Sequence, residues 1–172
     1  MNNIHSITCL TAKEKIMKTL IIYESTHQGN TKKLCDAIAE ECDVSLIDAR
    51  VLKDEINWKE YGLVGFASGI DFGKFYENVS RIAGTVPKGT KTFFLYTCAQ
   101  KSKDFSSDIA GKVKKAEGII LGSYGCKGFN KYGPWKLIGG MNKNHPNRKE
   151  LDEGVEFYKK LLNEMQGETR NE

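Results

Sequence analysis

Four short, nearly uninterrupted apolar runs, at 20–23, 63–67, 92–96 and 119–121, constrain the fold of this 172-residue chain more than any other feature. None alternates between apolar and polar residues, so each reads as a strand covered on both faces, the environment of a parallel sheet. A fifth segment, 44–48, does alternate and suits a sheet edge with one poorly covered face. Between the runs, apolar residues recur at helical spacing: Leu34, Ile38 and Cys42; Phe105, Ile109 and Val113; and Leu151, Val155, Tyr158 and Leu162 in the last helix. Asn147, after Pro146, is the expected cap of that last helix. Strand and helix alternate to the end of the chain, and right-handed crossovers then build one doubly wound α/β domain.

Composition excludes the other broad classes. With 40% hydrophobic and 28% charged residues, and 17 Gly against 3 Pro, the chain is neither disordered nor collagen-like. No apolar run reaches the ~18 residues of a membrane helix. Residues 1–16 lack the apolar core of a signal peptide, so a cytoplasmic location is expected. They read as a disordered or weakly docked N-terminal extension, with Met17 a candidate natural start, residues 17–165 a single domain and 166–172 a polar tail. Cys9, Cys35, Cys42, Cys98 and Cys126 form no Cys-x-x-Cys pair, so neither a disulfide framework nor a zinc site is indicated. The formal charge of +4 hides an asymmetry: residues 86–149 hold 13 basic side chains against three acidic ones, a local +10. Such a stretch fits a nucleic acid, a membrane surface, an acidic partner or a plain solvated face.

In an open α/β sheet the ligand lies beyond the carboxyl ends of the strands, where the winding direction reverses. That directs attention to the loops after Tyr23, Ala67, Tyr96 and Leu121, all rich in Gly, Ser, Thr and Asn. The last, 122–148, shows no clear element, and a loop of that length is functional or mobile. The first reads Ser25-Thr26-His27-Gln28-Gly29-Asn30-Thr31 and leads straight into helix. Hydroxyls, a glycine and backbone N–H groups at a helix N-terminus make an anion site suited to a phosphate monoester. A capped helix start whose hydroxyls merely close the turn explains the same residues equally well. No lysine or arginine in the loop precedes Lys32, so a phosphate here is held by hydrogen bonds and the helix dipole. That suits retention of a cofactor rather than phosphoryl transfer. Walker A and Gly-x-Gly-x-x-Gly patterns are absent, which disfavours NTP hydrolysis and dinucleotide binding, although Asp48 ends the second strand.

This loop resembles the phosphate loop of the flavodoxin family, Ser/Thr-x-Thr-Gly-Asn-Thr: Ser25, Thr26, Gln28, Gly29, Asn30 and Thr31 fall on the pattern, while Thr26-His27-Gln28 departs from its commonest spelling. The resemblance spans residues 18 to about 162. It implies a flavodoxin-like three-layer sandwich, a five-stranded parallel sheet of order 2-1-3-4-5, and FMN at a switch point for which flavodoxin is itself the reference case. By resemblance, the FMN phosphate is held by Ser25, Thr26, His27, Gln28, Gly29, Asn30 and Thr31. The rest of the cofactor is held by Ser68, Gly69, Ile70, Asp71 and Phe72 after the third strand, Thr97, Cys98, Ala99 and Gln100 after the fourth, and Cys126, Lys127 and Gly128 after the fifth.

Gly69 and Gly73 let backbone approach a flat ligand, and Gly69 tolerates the peptide flip by which the family presents a carbonyl to the flavin N5–H after one-electron reduction. Ile70 or Phe72 is placed to cover a ring face, whereas Phe75 and Tyr76 are expected to pack the following helix. The fourth loop carries no aromatic, where many flavodoxins stack one. The fifth loop, with Gly-Cys-x-Gly at 125–128 and His-Pro at 145–146, is similar to that of short bacterial or archaeal flavodoxin-like proteins. Its Phe129, Tyr132 and Trp135 cover the flavin, form a docking patch or anchor the loop, and His145 reads as a turn residue.

The function implied is an FMN-binding electron-transfer protein that shuttles electrons between a reductase and an acceptor, with no residue acting as acid, base or nucleophile. One alternative is a flavin-dependent oxidoreductase acting on a quinone or protoporphyrinogen-type substrate. Another is a basic nucleic-acid or protein interaction module, for which no helix-turn-helix, zinc-finger or RNP-type signal is present. Cys98 and Cys126 follow adjacent strands and would form a flavin–dithiol relay if their thiols met; two reduced thiols are the simpler expectation. Flavodoxins are generally acidic. Here Lys101, Lys103, Lys127 and Lys131 are expected to rim the flavin edge, to ease addition of the second electron, and to favour acidic redox partner proteins, with no nucleic acid and no membrane span.

Overall fold

Residues 18–26, 28–52, 55–100, 103–131 and 133–169 are described by a computed structural model of the chain. The expected N-terminal extension, His27, Lys101 and Tyr132 lie outside them. The four apolar runs are strands: β1 (Lys18–Glu24), β3 (Tyr61–Asp71), β5 (Lys91–Cys98) and β6 (Ile119–Lys127), with β2 (Val44–Asp48) from the alternating segment. They form a parallel sheet of order β2-β1-β3-β5-β6. This is the expected order of five parallel strands. A sixth, β4 (Lys74–Phe75), pairs antiparallel with the end of β3.

Strand alternation divides the interior into two apolar layers. Leu20, Ile22, Phe66 and Phe94 face α2 (Glu77–Ala83) and α3 (Ser107–Lys115), whose Val79, Ile82, Ile109 and Val113 complete that layer. Ile21, Leu63, Phe93 and Leu95 point the other way, onto Leu34 and Ile38 of α1 (Asn30–Glu41) and Val155, Tyr158 and Leu161 of α4 (Arg148–Thr169). All of these strand residues are 0% exposed, which is why their sequence runs carry no polar alternation. The buried Tyr158 hydroxyl donates to Thr19 Oγ1 at 2.9 Å, anchoring α4 to β1 without leaving a phenol unsatisfied.

Two strands run further than the sequence suggests. β6 continues to Lys127 because Gly125 leaves room for the ring of Tyr96, its register partner on β5: a Cβ at Gly125 would lie 2.1 Å from Tyr96 Cε2. Glycines that signal a loop are here a socket for an aromatic ring. The long loop expected at 122–148 accordingly shrinks by the six residues of β6 beyond 121 and contains a 3₁₀ turn (Gly133–Lys136). Likewise β3 runs through Asp71 and turns back into β4 over Phe72 and Gly73, whose φ values of 46° and 81° are both left-handed, as a type I′ hairpin requires.

Candidate functional site

At the carboxyl edge of the sheet a cleft encloses, with its open mouth, about 740 Å³ of empty space. Its first wall is the loop after β1, where Ser25, Thr26, Asn30 and Thr31 line the cavity. Gln28 and Gly29, at φ 58° and 68°, turn the chain into α1 without lining it. No side chain caps α1 and no acid sits in its first turn, so the positive end of the helix dipole is left for a ligand. Lys32 is tied to Asp36 at 2.7 Å, which leaves anion binding here to hydroxyls and backbone N–H groups. Thr31, buried, shares a proton with Thr97 Oγ1 at 2.9 Å, and Thr26 Oγ1 donates to the Tyr76 hydroxyl at 2.8 Å.

Asn30 joins two walls: its Nδ2 donates to Phe129 O at 2.8 Å, and its buried Oδ1 has no hydrogen-bond partner among the described residues. An unsatisfied buried acceptor costs about 1–3 kcal/mol, so this oxygen is suited to a ligand's hydroxyl.

The second wall is the β3–β4 hairpin, contributing Gly69, Ile70 and Asp71. Ser68 is fully buried, and its hydroxyl, accepting from Tyr76 N–H at 2.9 Å and donating to Gly69 O at 2.6 Å, fixes the hairpin rather than facing the cavity. Phe72 stands 92% exposed at the hairpin tip, outside the lining. Phe75 packs in the core against Phe94 and Tyr96, as expected of it, but Tyr76 lines the cleft instead of packing α2. Its ring lies on Gly69, where a Cβ would be 2.9 Å from the phenol oxygen. Burial pushes the Tyr76 phenol pKa above its ordinary value, so the hydroxyl is neutral and able to donate.

Thr97 and Cys98 from β5 and Ala99 just after it, with Gly128, Phe129 and Asn130 beyond β6, close the third side. Gln100, Cys126 and Lys127 do not line it. Cys126 packs in the α1/α4 layer and Cys98 in the α2/α3 layer, so the two thiols lie on opposite faces of the sheet and the dithiol relay is ruled out geometrically. The Cys98 thiol donates toward Cys126 O at 3.5 Å instead. Of the expected basic rim, Lys131 stands over the Phe129 ring at 5.4 Å, Lys103 over Phe105 at 5.5 Å, and Lys127 is exposed.

The fifth loop is held to the other walls. Asn142 Nδ2 donates to Ala99 O at 2.6 Å, and Phe129 N–H to His145 O at 3.0 Å. Glu150 is the anchor: one carboxylate oxygen accepts from Asn147 N–H at 2.9 Å and from His145 Nδ1 at 2.7 Å, the other from Lys127 N–H at 3.3 Å. Glu150 N–H donates back to Asn147 Oδ1 at 3.0 Å, completing a capping box at the start of α4. The turn residue His145 is thus also a carboxylate partner. Tyr76 and the Glu150 anchor were not assigned to the site from sequence; the only available signals were Gly69 preceding an aromatic across a hairpin and the Asn-x-x-Glu spacing.

Burial alone would raise the Glu150 pKa, but hydrogen bonds from the Asn147 and Lys127 N–H groups and from His145 outweigh it and hold the carboxyl below its ordinary value. A carboxylate depressed in the folded state contributes stability that is present above its unfolded pKa, about 4.3, and is lost as pH falls through the folded value. Glu150→Gln is therefore expected to cost about 1–3 kcal/mol at neutral pH. Thermal melts of the variant should also decline less steeply than those of the parent below about pH 4.5. Parallel melting curves at all pH values would show that the anchor is not charged.

A family model described as a flavodoxin domain matches residues 20–86. An uncharacterized protein of Methanocaldococcus jannaschii is 37% identical over 150 residues, spanning 85% of this chain and 99% of that protein. The structure of oxidised flavodoxin 1 from Bacillus cereus superposes with a TM-score of 0.61 at 14% identity, over 85% of this chain and 97% of that one. A flavoprotein from Lactobacillus acidophilus solved in complex with FMN gives 0.52 at 17% identity, over 63% of this chain and 93% of the other.

Proposed function

The chain belongs to the flavodoxin family, and from that premise we propose that it binds FMN in the cleft and carries electrons between a reductase and an acceptor protein. The observation that carries this reading is the convergence on one cavity of an uncapped helix start, seven hydroxyl or amide side chains and, among the described residues, an orphaned buried Asn30 Oδ1. The donors fit a phosphate monoester: the Thr26–Tyr76 and Thr31–Thr97 hydroxyl pairs have rotatable protons that turn toward an anion, beside the dipole of α1. Asn30 Oδ1 fits a sugar-alcohol hydroxyl, and Gly69, Ala99 and Gly128 border the space that a flat ring would take.

FMN supplies the one- and two-electron chemistry when bound. The protein binds and orients it: the β1–α1 loop holds the phosphate, the hairpin and the β5 end border the ring, and Lys131, stacked on Phe129, brings positive charge to the mouth. That charge favours the more anionic reduced cofactor and eases the second reduction. Partners are redox proteins of acidic surface. Cys35, Cys42, Cys98 and Cys126 form no disulfide among the described residues, which fits a reducing compartment, and no helix among those residues is long and apolar enough to cross a membrane.

A redox titration of the purified protein tests this. Flavin absorption, FMN released on denaturation and a second potential less negative than that of an acidic flavodoxin are expected. A colourless protein that takes up no added FMN would overturn the cofactor. Rapid reduction by NAD(P)H without a reductase would overturn the shuttle in favour of an oxidoreductase.

A further inference from the structure

The fifth loop ends in an arm that the cofactor does not explain. Asn130 and Met141 form an isolated antiparallel bridge, with N–H to O distances of 2.9 and 2.7 Å, which closes the loop between them into an arm. Its root, Asn130, lines the cleft. On the arm Leu137 is 91% and Ile138 67% exposed, adjacent in sequence and among the few large apolar side chains of the described residues left in solvent. The same stretch of chain carries Lys131, Lys136 and Lys143, none with a carboxylate partner among the described residues. No acid occurs anywhere from 118 to 149.

The hairpin wall of the cleft carries a second, independent sign. Phe72, one residue beyond the lining residue Asp71, is 92% exposed and sits at φ 46°. A bulky side chain is disfavoured there and buries nothing within this chain; such outliers persist where function uses them.

We propose that the 131–140 arm and the Phe72 hairpin tip together form a docking rim for an acidic partner protein, which seats apolar groups on Leu137, Ile138 and Phe72 inside a border of lysines. An apolar centre within a charged border is the make-up of a specific protein interface. Two tips on separate elements, both rooted in the cleft lining, suit a convex protein surface presented to the cleft mouth. That the partner is a redox protein rests on the electron-carrier reading; the basic, apolar-centred chemistry of the rim does not.

The test is a titration of the FMN-loaded, ¹⁵N-labelled protein with an acidic plant-type [2Fe–2S] ferredoxin, followed by amide shifts at low and high salt. Shifts are expected at the arm and the hairpin tip, with affinity falling at least about tenfold as salt rises. Lys136→Glu with Lys143→Glu should weaken low-salt binding by at least about tenfold. Leu137→Ser with Ile138→Ser should weaken it by a similar factor at both salts, as loss of an apolar contact does. Both variants should keep their flavin colour. Yellow protein whose ferredoxin binding is absent, salt-independent or unaffected by either variant overturns the docking rim and leaves the FMN reading standing. Preference for basic cytochrome c, or for phosphatidylglycerol vesicles over ferredoxin, overturns it in favour of another surface. Protein that stays colourless with added FMN overturns the FMN reading, and the titration run on that unloaded protein still decides the rim.

Discussion

Gly125→Val should lower the unfolding free energy by about 3 kcal/mol, at the upper end of what overpacking a core costs, and the melting temperature by roughly 6–12 °C. Three atoms of the Tyr96 ring lie 2.1–2.7 Å from where a Cβ at Gly125 would be. The ring has nowhere to go, since it packs edge-on against both Phe75 and Phe105, at centroid distances of 6.0 and 5.9 Å. The effect should reach the cleft, because Thr97 and Cys98 follow Tyr96 directly and Gly128 lies three residues past Gly125. Urea unfolding of Gly125→Val, Tyr96→Ala and the double variant measures the clash: the double variant should be less destabilised than the two single effects combined. Additive losses, or a Gly125→Val change within about 0.5 kcal/mol, would mean that β5 and β6 are not paired in this register.

The second large effect concerns the ligand. Thr26→Val and Thr31→Val should each weaken FMN binding by about 10- to 150-fold, since a hydrogen bond to a charged acceptor is worth about 1.5–3 kcal/mol. The two differ in their side effects. Thr26 is exposed and bonded to Tyr76, so its loss should leave folding almost unchanged, whereas Thr31 is buried against Thr97, which its removal leaves unpaired. Thr31→Val should therefore also lose about 1–3 kcal/mol of stability. Riboflavin, which lacks the phosphate, is the control: its affinity should move far less than that of FMN in fluorescence-quenching titrations. Equal weakening of both ligands would place the phosphate elsewhere.

What could be read from sequence follows the range of the interactions involved. The β1–α1 loop was legible because its chemistry is local: hydroxyls, Gly29 and a helix start lie within seven residues. The central strands were legible because burial on both faces removes alternation from 20–23, 63–67 and 92–96. The end of β6 was not, since its Gly125 makes room for a ring on a neighbouring strand 29 residues away. The hairpin was missed because its turn is Phe-Gly rather than Asn-Gly, the choice that left-handed backbone ordinarily selects. Tyr76 owes its place to a hydrogen bond across 50 residues. That Cys98 and Cys126 follow adjacent strands is visible in a sequence pattern, while the face each thiol takes depends on register.

Asn30 and Asn142 tie the third wall of the cleft to the other loops by side-chain amides that hold Phe129 O and Ala99 O. Fixing a backbone residue costs about 1–2 kcal/mol of entropy, and here much of that loss is incurred when the chain folds rather than when a ligand arrives. The cleft is consequently a preformed receptacle. Entry requires little rearrangement of its walls, and the lifetime of the bound state, more than the speed of capture, becomes the quantity that changes in these three segments would adjust.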